Sequence, residues 1–529
     1  IRDRRSSASM FEETHPDQTL PSLVAALPGH YTSRPLVCTI IFHPLTRRIG
    51  ERFEVPARLG GEPLVMGRNG PAFRRAGDAM EAPIDERHVS RRALLFSWQG
   101  DSLHIERPRV ASRAQVAGKE LQDVITLDRE QLSWGVPLML SHTVVLLLRF
   151  DSPGAPGQRG NEDFGLLGGS NYLAGLREEI RRAARCEEDV LIRGETGSGK
   201  ELVATAIHAD SERAGRPLVA VNMAAISAEL ASAALFGSAR GAYTGAERAH
   251  EGYFLQAQGG TLFLDEVGDT PPGVQPQLLR ALQQREIQPI GGALRRVSLR
   301  VISATDAPLD SDACDFKSAL RHRLGALVIN LLPLREHPED IGELALHFLT
   351  TDARSMGKDA ILPGERSSQL EIARWAELFH QLLRYRWPGN IRELANTCRQ
   401  VVAGSDSALA VPDSVRHQFE KARRDGRSIT SASGGRRMHE IDEEQFARAW
   451  AQSGFEPTGT ARLLGVSRQS VYRRIDGQAG YRLAGQVDKA ELRQVLASCE
   501  ADSARAARHL RVSLSALRAV LRGTDLEWR

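Results

Sequence analysis

The chain of 529 residues is 41% hydrophobic and 26% charged, the balance of a soluble globular protein, and at ~150 residues per domain it predicts three or four domains. A net charge of +3 excludes a protein that coats nucleic acid by bulk charge, so any DNA contact rests on local patches. Purely apolar runs such as Val144–Leu148 are far shorter than the ~20 residues of a membrane span, and five scattered cysteines show no CxxC or Cys/His spacing. Neither membrane, secretory leader, disulfide framework nor zinc site is expected, and a reducing cytoplasm is the expected compartment.

In chain order, residues 1–35 mix Ser, Pro and charge without period and read as a tail. Short β-type runs then recur over 36–150, at Leu36–Phe42, Leu94–Trp98, Leu103–Ile105, Val124–Leu127 and Leu138–Phe150, punctuated by Gly, Pro and Asp. This spacing predicts a β-sandwich. Residues 151–165, rich in Gly and Pro, form a linker. Over 166–334 apolar strands alternate with helical patterns (Val190–Arg193, Leu218–Asn222, Thr261–Asp265, Val297–Thr305), which predicts an α/β domain with a parallel sheet. Residues 335–412 read as a small helical lid. A basic tether follows over 413–438, with seven Lys/Arg between Arg416 and Arg437.

The C-terminal 90 residues repeat. Glu444–Ile475 and Ala490–Leu521 align without gaps at an offset of 46, matching Phe446 to Leu492, Leu464 to Leu510 and Val466-Ser467 to Val512-Ser513. Two tandem all-α modules, 439–477 and 484–529, are the simplest account.

Two motifs carry chemistry. Gly194-Glu195-Thr196-Gly197-Ser198-Gly199-Lys200 lies between a strand and a helix pattern. Its glycines let backbone N–H groups curl around phosphate oxygens, Lys200 adds charge, and the helix start adds its dipole. Glu201 stands where a Ser/Thr magnesium ligand is usual, so Mg²⁺ ligation has to be shared differently. A bare Gly-rich turn is the bland alternative, and the flanks argue against it. Sixty-five residues after Lys200, the strand ending in Asp265-Glu266 delivers two carboxylates where parallel sheets bind ligands. Asp265 is placed to hold Mg²⁺ and Glu266 to polarise the attacking water.

Near the C-terminus, Thr460–Arg474 reads as a helix, a Gly465 turn and a second helix with Ser467 as N-cap. Ala461, Leu464, Val466, Val471 and Ile475 suit a small core. Arg468, Gln469, Ser470, Tyr472, Arg473 and Arg474 are then outward, for base edges and phosphates. A purely structural three-helix unit is the alternative. The second copy keeps Arg505, Arg508, Arg511 and Arg518 but offers Ser513-Leu-Ser-Ala516 at the recognition start, so its role stays open among reader, phosphate clamp and dimer contact.

Gly241-Ala242-Tyr243-Thr244-Gly245-Ala246 is, by composition, a small-residue loop with one aromatic. It strongly resembles the GAFTGA loop of sigma-54-dependent transcription activators, bacterial enhancer-binding proteins of the AAA+ class. Leu235-Phe236-Gly237, Gly259–Glu266, Leu278–Gln283, Leu332–Arg335 and Trp387–Leu394 match in order, over roughly 166–402, and the Thr460–Arg474 segment resembles the Fis-type reader of that family. The resemblance implies ATP and Mg²⁺ as cofactors, sigma-54 RNA polymerase and enhancer DNA as partners, and a ring, commonly a hexamer. It implies that Tyr243 and Thr244 form the loop tip touching the sigma factor. Asn222 then holds Glu266 until nucleotide state changes, Arg392 senses the γ-phosphate, and Arg323 is an arginine finger supplied to a neighbour. Two positions depart from the family. Lys317 replaces a first finger arginine and loses its planar fork, and Asp306 replaces the sensor Asn, adding a carboxylate near the γ-phosphate. Both put the turnover rate in question.

The N-terminal region resembles a forkhead-associated domain through Met66-Gly-Arg68 and His88-Val-Ser-Arg91. That implies phosphothreonine binding by Arg68, Ser90 and Arg91, with a phosphorylated protein or serine/threonine kinase as partner. Ala93 stands where the framework His is expected and Gln115–Gly118 where an Asn-Gly pair is expected, so a sandwich used only for protein contacts is the alternative. The leading expectation is an ATP-dependent activator. A nucleotide-binding DNA regulator with weak hydrolysis, repressing or co-assembling with an active relative, is the second. A general AAA+ chaperone or helicase loader is the third, and it has no use for the Gly241–Ala246 loop.

Overall fold

The computed structural model describes residues 34–56, 62–75, 77–151, 164–242, 249–307, 309, 316–364, 367–424, 441–464, 471, 474–475, 481, 487, 489–499, 502–522 and 528. The chain divides into two compact units, 1–429 and 430–529.

The first unit begins with an eight-stranded and a four-stranded sheet, both antiparallel. They share a core that includes Cys38, Ile40, Leu94, Phe96, Leu146 and Leu148. The strand Leu36–Phe42 is buried along its whole length, and Val144–Phe150 at all but Arg149. Alternation explains how: Val144, Leu146 and Leu148 enter this core, while Val145 and Leu147 point the other way into a second core shared with lid helices. The expected single run Leu138–Phe150 is two strands, Val136–Leu140 and Val144–Phe150. Ser141 and His142 turn between them with φ of +50° and +56°. A tight hairpin needs left-handed backbone at its centre. Neither residue is the glycine that usually signals it, so composition concealed the turn.

Next comes a five-stranded parallel sheet in the order Leu218–Asn222, Thr261–Asp265, Arg300–Thr305, Val190–Arg193, Leu327–Asn330. Its apolar strands pack against Asn171–Ala184 and Lys200–Ala209 on one face, with Leu176, Ile180, Val203 and Ile207 facing Ile192 and Ile302. Leu278, Ala281 and Leu282 of Gln275–Gln284 cover the other. Asn222, Asp265, Thr305 and Arg193 therefore leave the sheet at one edge.

The lid holds the helices Ile341–Ser355, Gln369–Arg384 and Asn390–Ala403. A fourth helix, Asp413–Arg424, occupies part of what reads in sequence as a tether. Val415, Phe419 and Ala422 recur at helical spacing on its inner face and join the lid core, so the basic residues are only its outer side.

The second unit contains two helical modules with separate cores. Ile441, Phe446, Leu464, Val471 and Ile475 fill one. Val487, Leu492, Leu510, Leu517 and Leu521 fill the other, and each of these stands 46 positions after its counterpart. Among the described residues no helix is long and apolar enough to cross a membrane.

Candidate nucleotide site

The Gly-rich turn opens the helix Lys200–Ala209, with Gly199 at φ +100° as its N-cap. Lys200 is 7% exposed; its ammonium donates to the Gly194 carbonyl at 3.1 Å and lies 3.4 Å from Glu266 Oε1. Glu266 itself has left-handed backbone, φ +50°. Burial lifts its carboxyl above the ordinary carboxylate value; Lys200 opposes that, and Asp306 and Asp265 add to it. The Asn222 amide donates to Asp265 at 3.3 Å. In this state Asn222 holds Asp265, and Glu266 is held by Lys200. Thr196 donates its hydroxyl to Asp306 at 2.6 Å. Lys200, Asp265, Glu266, Asn222 and Thr196, drawn from segments far apart in sequence, thus meet at one sheet edge, and Asp306 joins them.

The lid closes on this edge through contacts that sequence spacing did not reveal. Glu195 turns away from the cradle to a two-point ion pair with Arg335, at 2.6 and 2.7 Å. These bonds hold the Glu195 carboxyl below its usual value. Asn390, buried, donates to Glu195 at 3.2 Å and to the Thr196 carbonyl at 3.1 Å, and accepts from the Leu334 N–H. Gly197, at φ +78°, approaches so closely that a Cβ there would lie 2.4 Å from the Gly389 carbonyl oxygen. The backbone N–H groups of Ile391 and Arg392 donate to the Gly197 carbonyl, so Arg392 stands beside the turn. An acidic residue inside a Gly-rich turn was the one available signal. Its partner lies 140 positions away.

Other expected site residues fall differently. Arg323 donates to the Leu282 carbonyl at 3.0 and 3.2 Å, with Asp189 3.9 Å off, all on its own chain. Glu201 is exposed on the first turn of its helix, and Ser198 and Gly199 lie in the turn before it. Gly241 and Ala242 end a segment pinned by Ser238 to His250 and Ile290; Tyr243, Thr244, Gly245 and Ala246 lie outside the described residues. So do Ser467, Arg468, Gln469, Ser470, Tyr472 and Arg473. Arg474 was expected outward. Its side chain is 13% exposed, donates to the Ile441 carbonyl and Glu443, and lies 4.9 Å over the Phe446 ring. It follows Val471 by three positions, one helical turn, and so shares the core-facing side.

In the N-terminal region, the Arg68 N–H donates to the Ser90 carbonyl at 3.0 Å, bringing those loops together. Ser90 and Ser112 exchange bonds, each backbone N–H donating to the other's hydroxyl. Arg91 is exposed, and Ala93 is buried. Ala117 and Gly118 form a turn with φ of +53° and +76°, where the resemblance expects Asn-Gly.

Residues 166–330 match the sigma-54 interaction domain, and 335–432 match the AAA+ ATPase lid domain. The transcriptional regulatory protein ZraR of Klebsiella oxytoca is 36% identical over 319 residues, covering 59% of this chain and 68% of that protein. The chain belongs to the sigma-54-dependent transcriptional activators. Within that family, the transcriptional regulator NtrC of Salmonella typhimurium is 44% identical over 267 residues, 50% of this chain and 55% of NtrC. A solved structure of NtrX from Brucella abortus with ADP shares 27% identity, with 60% of this chain and 70% of that one covered and a TM-score of 0.42. As a member of the family this protein is an AAA+ ATPase, and its lid corresponds to the second matched domain.

Proposed function

We propose that this activator binds DNA through its C-terminal modules and spends ATP to remodel the closed complex of sigma-54 RNA polymerase. The observation that carries the reading is the joint presence of the Lys200–Glu266–Asp265 edge and, within the same matched domain, the Gly241–Ala246 sequence. Lys200 and the turn N–H groups bind phosphate, and Glu266 orients and deprotonates the attacking water. Asp265 would hold Mg²⁺. One carboxylate ligand suits this cation, which keeps waters and uses one or two protein oxygens beside phosphates; among the described residues no group of three or more His, Cys, Asp or Glu is arranged to hold a metal. When bound, the ion neutralises charge on the phosphates. Arg392 senses the γ-phosphate from the lid. Arg323, on release from Leu282, serves a neighbouring subunit, so the active form is a ring. Tyr243 and Thr244 meet the sigma factor. Arg468 to Arg473 read DNA, and Arg68 and Ser90 recognise a phosphorylated partner, with Arg91 at the rim.

The test separates motor from output. In full-length protein Thr244→Ala is expected to keep ATP hydrolysis within about twofold while abolishing transcription from a sigma-54 promoter in a purified system. Normal activation by that variant would remove the loop from the reading.

Asp306 favours a second reading, in which turnover is slow. It ties up Thr196 and raises the Glu266 carboxyl by repulsion. Asp306→Asn is expected to speed hydrolysis about tenfold, and an unchanged rate returns weight to the first reading.

A further inference from the structure

An antiparallel sheet ordinarily keeps one face wet, and its strands then alternate apolar and polar. The central strands here, Leu36-Val-Cys-Thr-Ile-Ile-Phe42, Val136-Pro-Leu-Met-Leu140 and Val144-Val-Leu-Leu-Leu-Arg-Phe150, do not. Their second face, built from Ile41, Phe42, Met139, Val145 and Leu147, shares one core with lid residues including Ile341, Trp375 and Phe379. The Phe42 and Phe379 rings lie 5.0 Å apart. The approach is close enough that a Cβ at Gly342 in the lid would sit 2.7 Å from the Ile41 carbonyl oxygen.

Three arginines of the sheet domain grip both sides of the hinge between the α/β domain and the lid. Arg52 pairs with Asp151 at 2.7 Å and donates to Asn171, the first residue of the α/β domain's first helix. Arg149 pairs with Glu339 at 2.6 Å and donates to the Glu336 carbonyl at 2.7 Å, inside the hinge segment. Arg75 pairs with Glu343 in the first turn of the lid helix. Glu336 directly follows Arg335, which holds Glu195 in the phosphate-binding turn.

We propose that the N-terminal sheet domain is a clamp across the lid hinge and moves as one body with the lid. Whatever it binds is then reported to the nucleotide site through the lid's angle over Glu195, and not by release of a tethered domain. Arg149 is the main positioning residue, because its guanidinium holds the carbonyl next to Arg335. The proposal rests on the ATPase reading only in requiring that nucleotide bind at Lys200.

Amide hydrogen exchange of the full chain with and without ADP tests this. ADP is expected to slow exchange at 194–200 and also, by about threefold or more, in the strands Leu36–Phe42 and Val144–Phe150. Arg149→Glu should erase the strand effect alone and shift KM for ATP by about threefold; adding Glu339→Arg should restore the ion pair and the strand effect but leave KM shifted, since position 149 then has no donor for the Glu336 carbonyl. Should Arg149→Glu fail to fold, Arg75→Gln, at a pair 22% and 14% exposed, gives the same readout. Slowing at 194–200 with none in the strands overturns the clamp. No slowing anywhere overturns nucleotide binding, and the clamp with it.

Discussion

Two sheets in this molecule are apolar on both faces, for different reasons. The parallel sheet around Thr261–Asp265 is covered on each side by helices of its own domain. The antiparallel sheet around Leu36–Phe42 is covered on one side by its partner sheet and on the other by the lid of another domain. The same strand pattern therefore reports domain completeness in one case and domain docking in the other. Connectivity tells them apart: helices between successive strands cover a parallel sheet locally, whereas hairpin-linked strands bring no cover of their own.

The sharpest way to break the comparison is to disable each sheet's contribution separately. Lys200→Ala acts at the edge of the parallel sheet. It should reduce ATP turnover by roughly 10³-fold, about 4 kcal/mol of transition-state stabilisation, while the melting of the N-terminal strands changes little. A phosphate-release assay beside a thermal melt reads both, and turnover within tenfold of wild type would mean Lys200 does not serve the phosphates. Phe42→Ala acts on the docked face of the other sheet. Truncating a fully buried aromatic there should cost about 3 kcal/mol and lower the lid's unfolding together with that of the sheet domain. Separate transitions, with the lid unmoved, would show that the two cores are independent.

How much of this was legible follows from the range of each interaction. The convergence of the glycines, Lys200 and the Asp265-Glu266 pair was legible because each sits at a strand end, where chain geometry alone fixes their direction. The C-terminal repeat was legible for the same reason: the apolar positions at 446, 464, 471 and 475 recur 46 residues on in matching cores. The Glu195–Arg335–Asn390 contacts were not legible, since they join segments 140 and 195 positions apart through single polar bonds that leave no period. The inward Arg474 was hidden by its charge, although one helical turn from Val471 is a core-facing register. The helix Asp413–Arg424 was masked by its basic outer face, and the unbroken apolar strands were visible but did not say what lay on the second side.

The smallest expected effect concerns His380, which lies in the lid core beneath these contacts. Its side chain is 1% exposed, and neither ring nitrogen has a hydrogen-bond partner among the described residues. Burial lowers its pKa to about 4, and the nearby Arg384, His142 and Arg423 push the same way. The folded protein thus keeps this imidazole neutral where the unfolded chain, with an ordinary value of 6.5, takes up a proton. Between those values the unfolded state binds more protons, so stability rises with pH across that window and is fully present above it. At pH 5 the loss relative to pH 7.5 should be about 2 kcal/mol from this group. His380→Phe, which fills the site without a titrating nitrogen, should flatten that part of the pH profile in denaturant titrations of the full chain. An unchanged profile in the variant would assign the acid sensitivity to other groups and leave His380 as packing alone. A flattened one would place the proton penalty in the same lid core that the N-terminal sheet completes through Phe42 and Phe379.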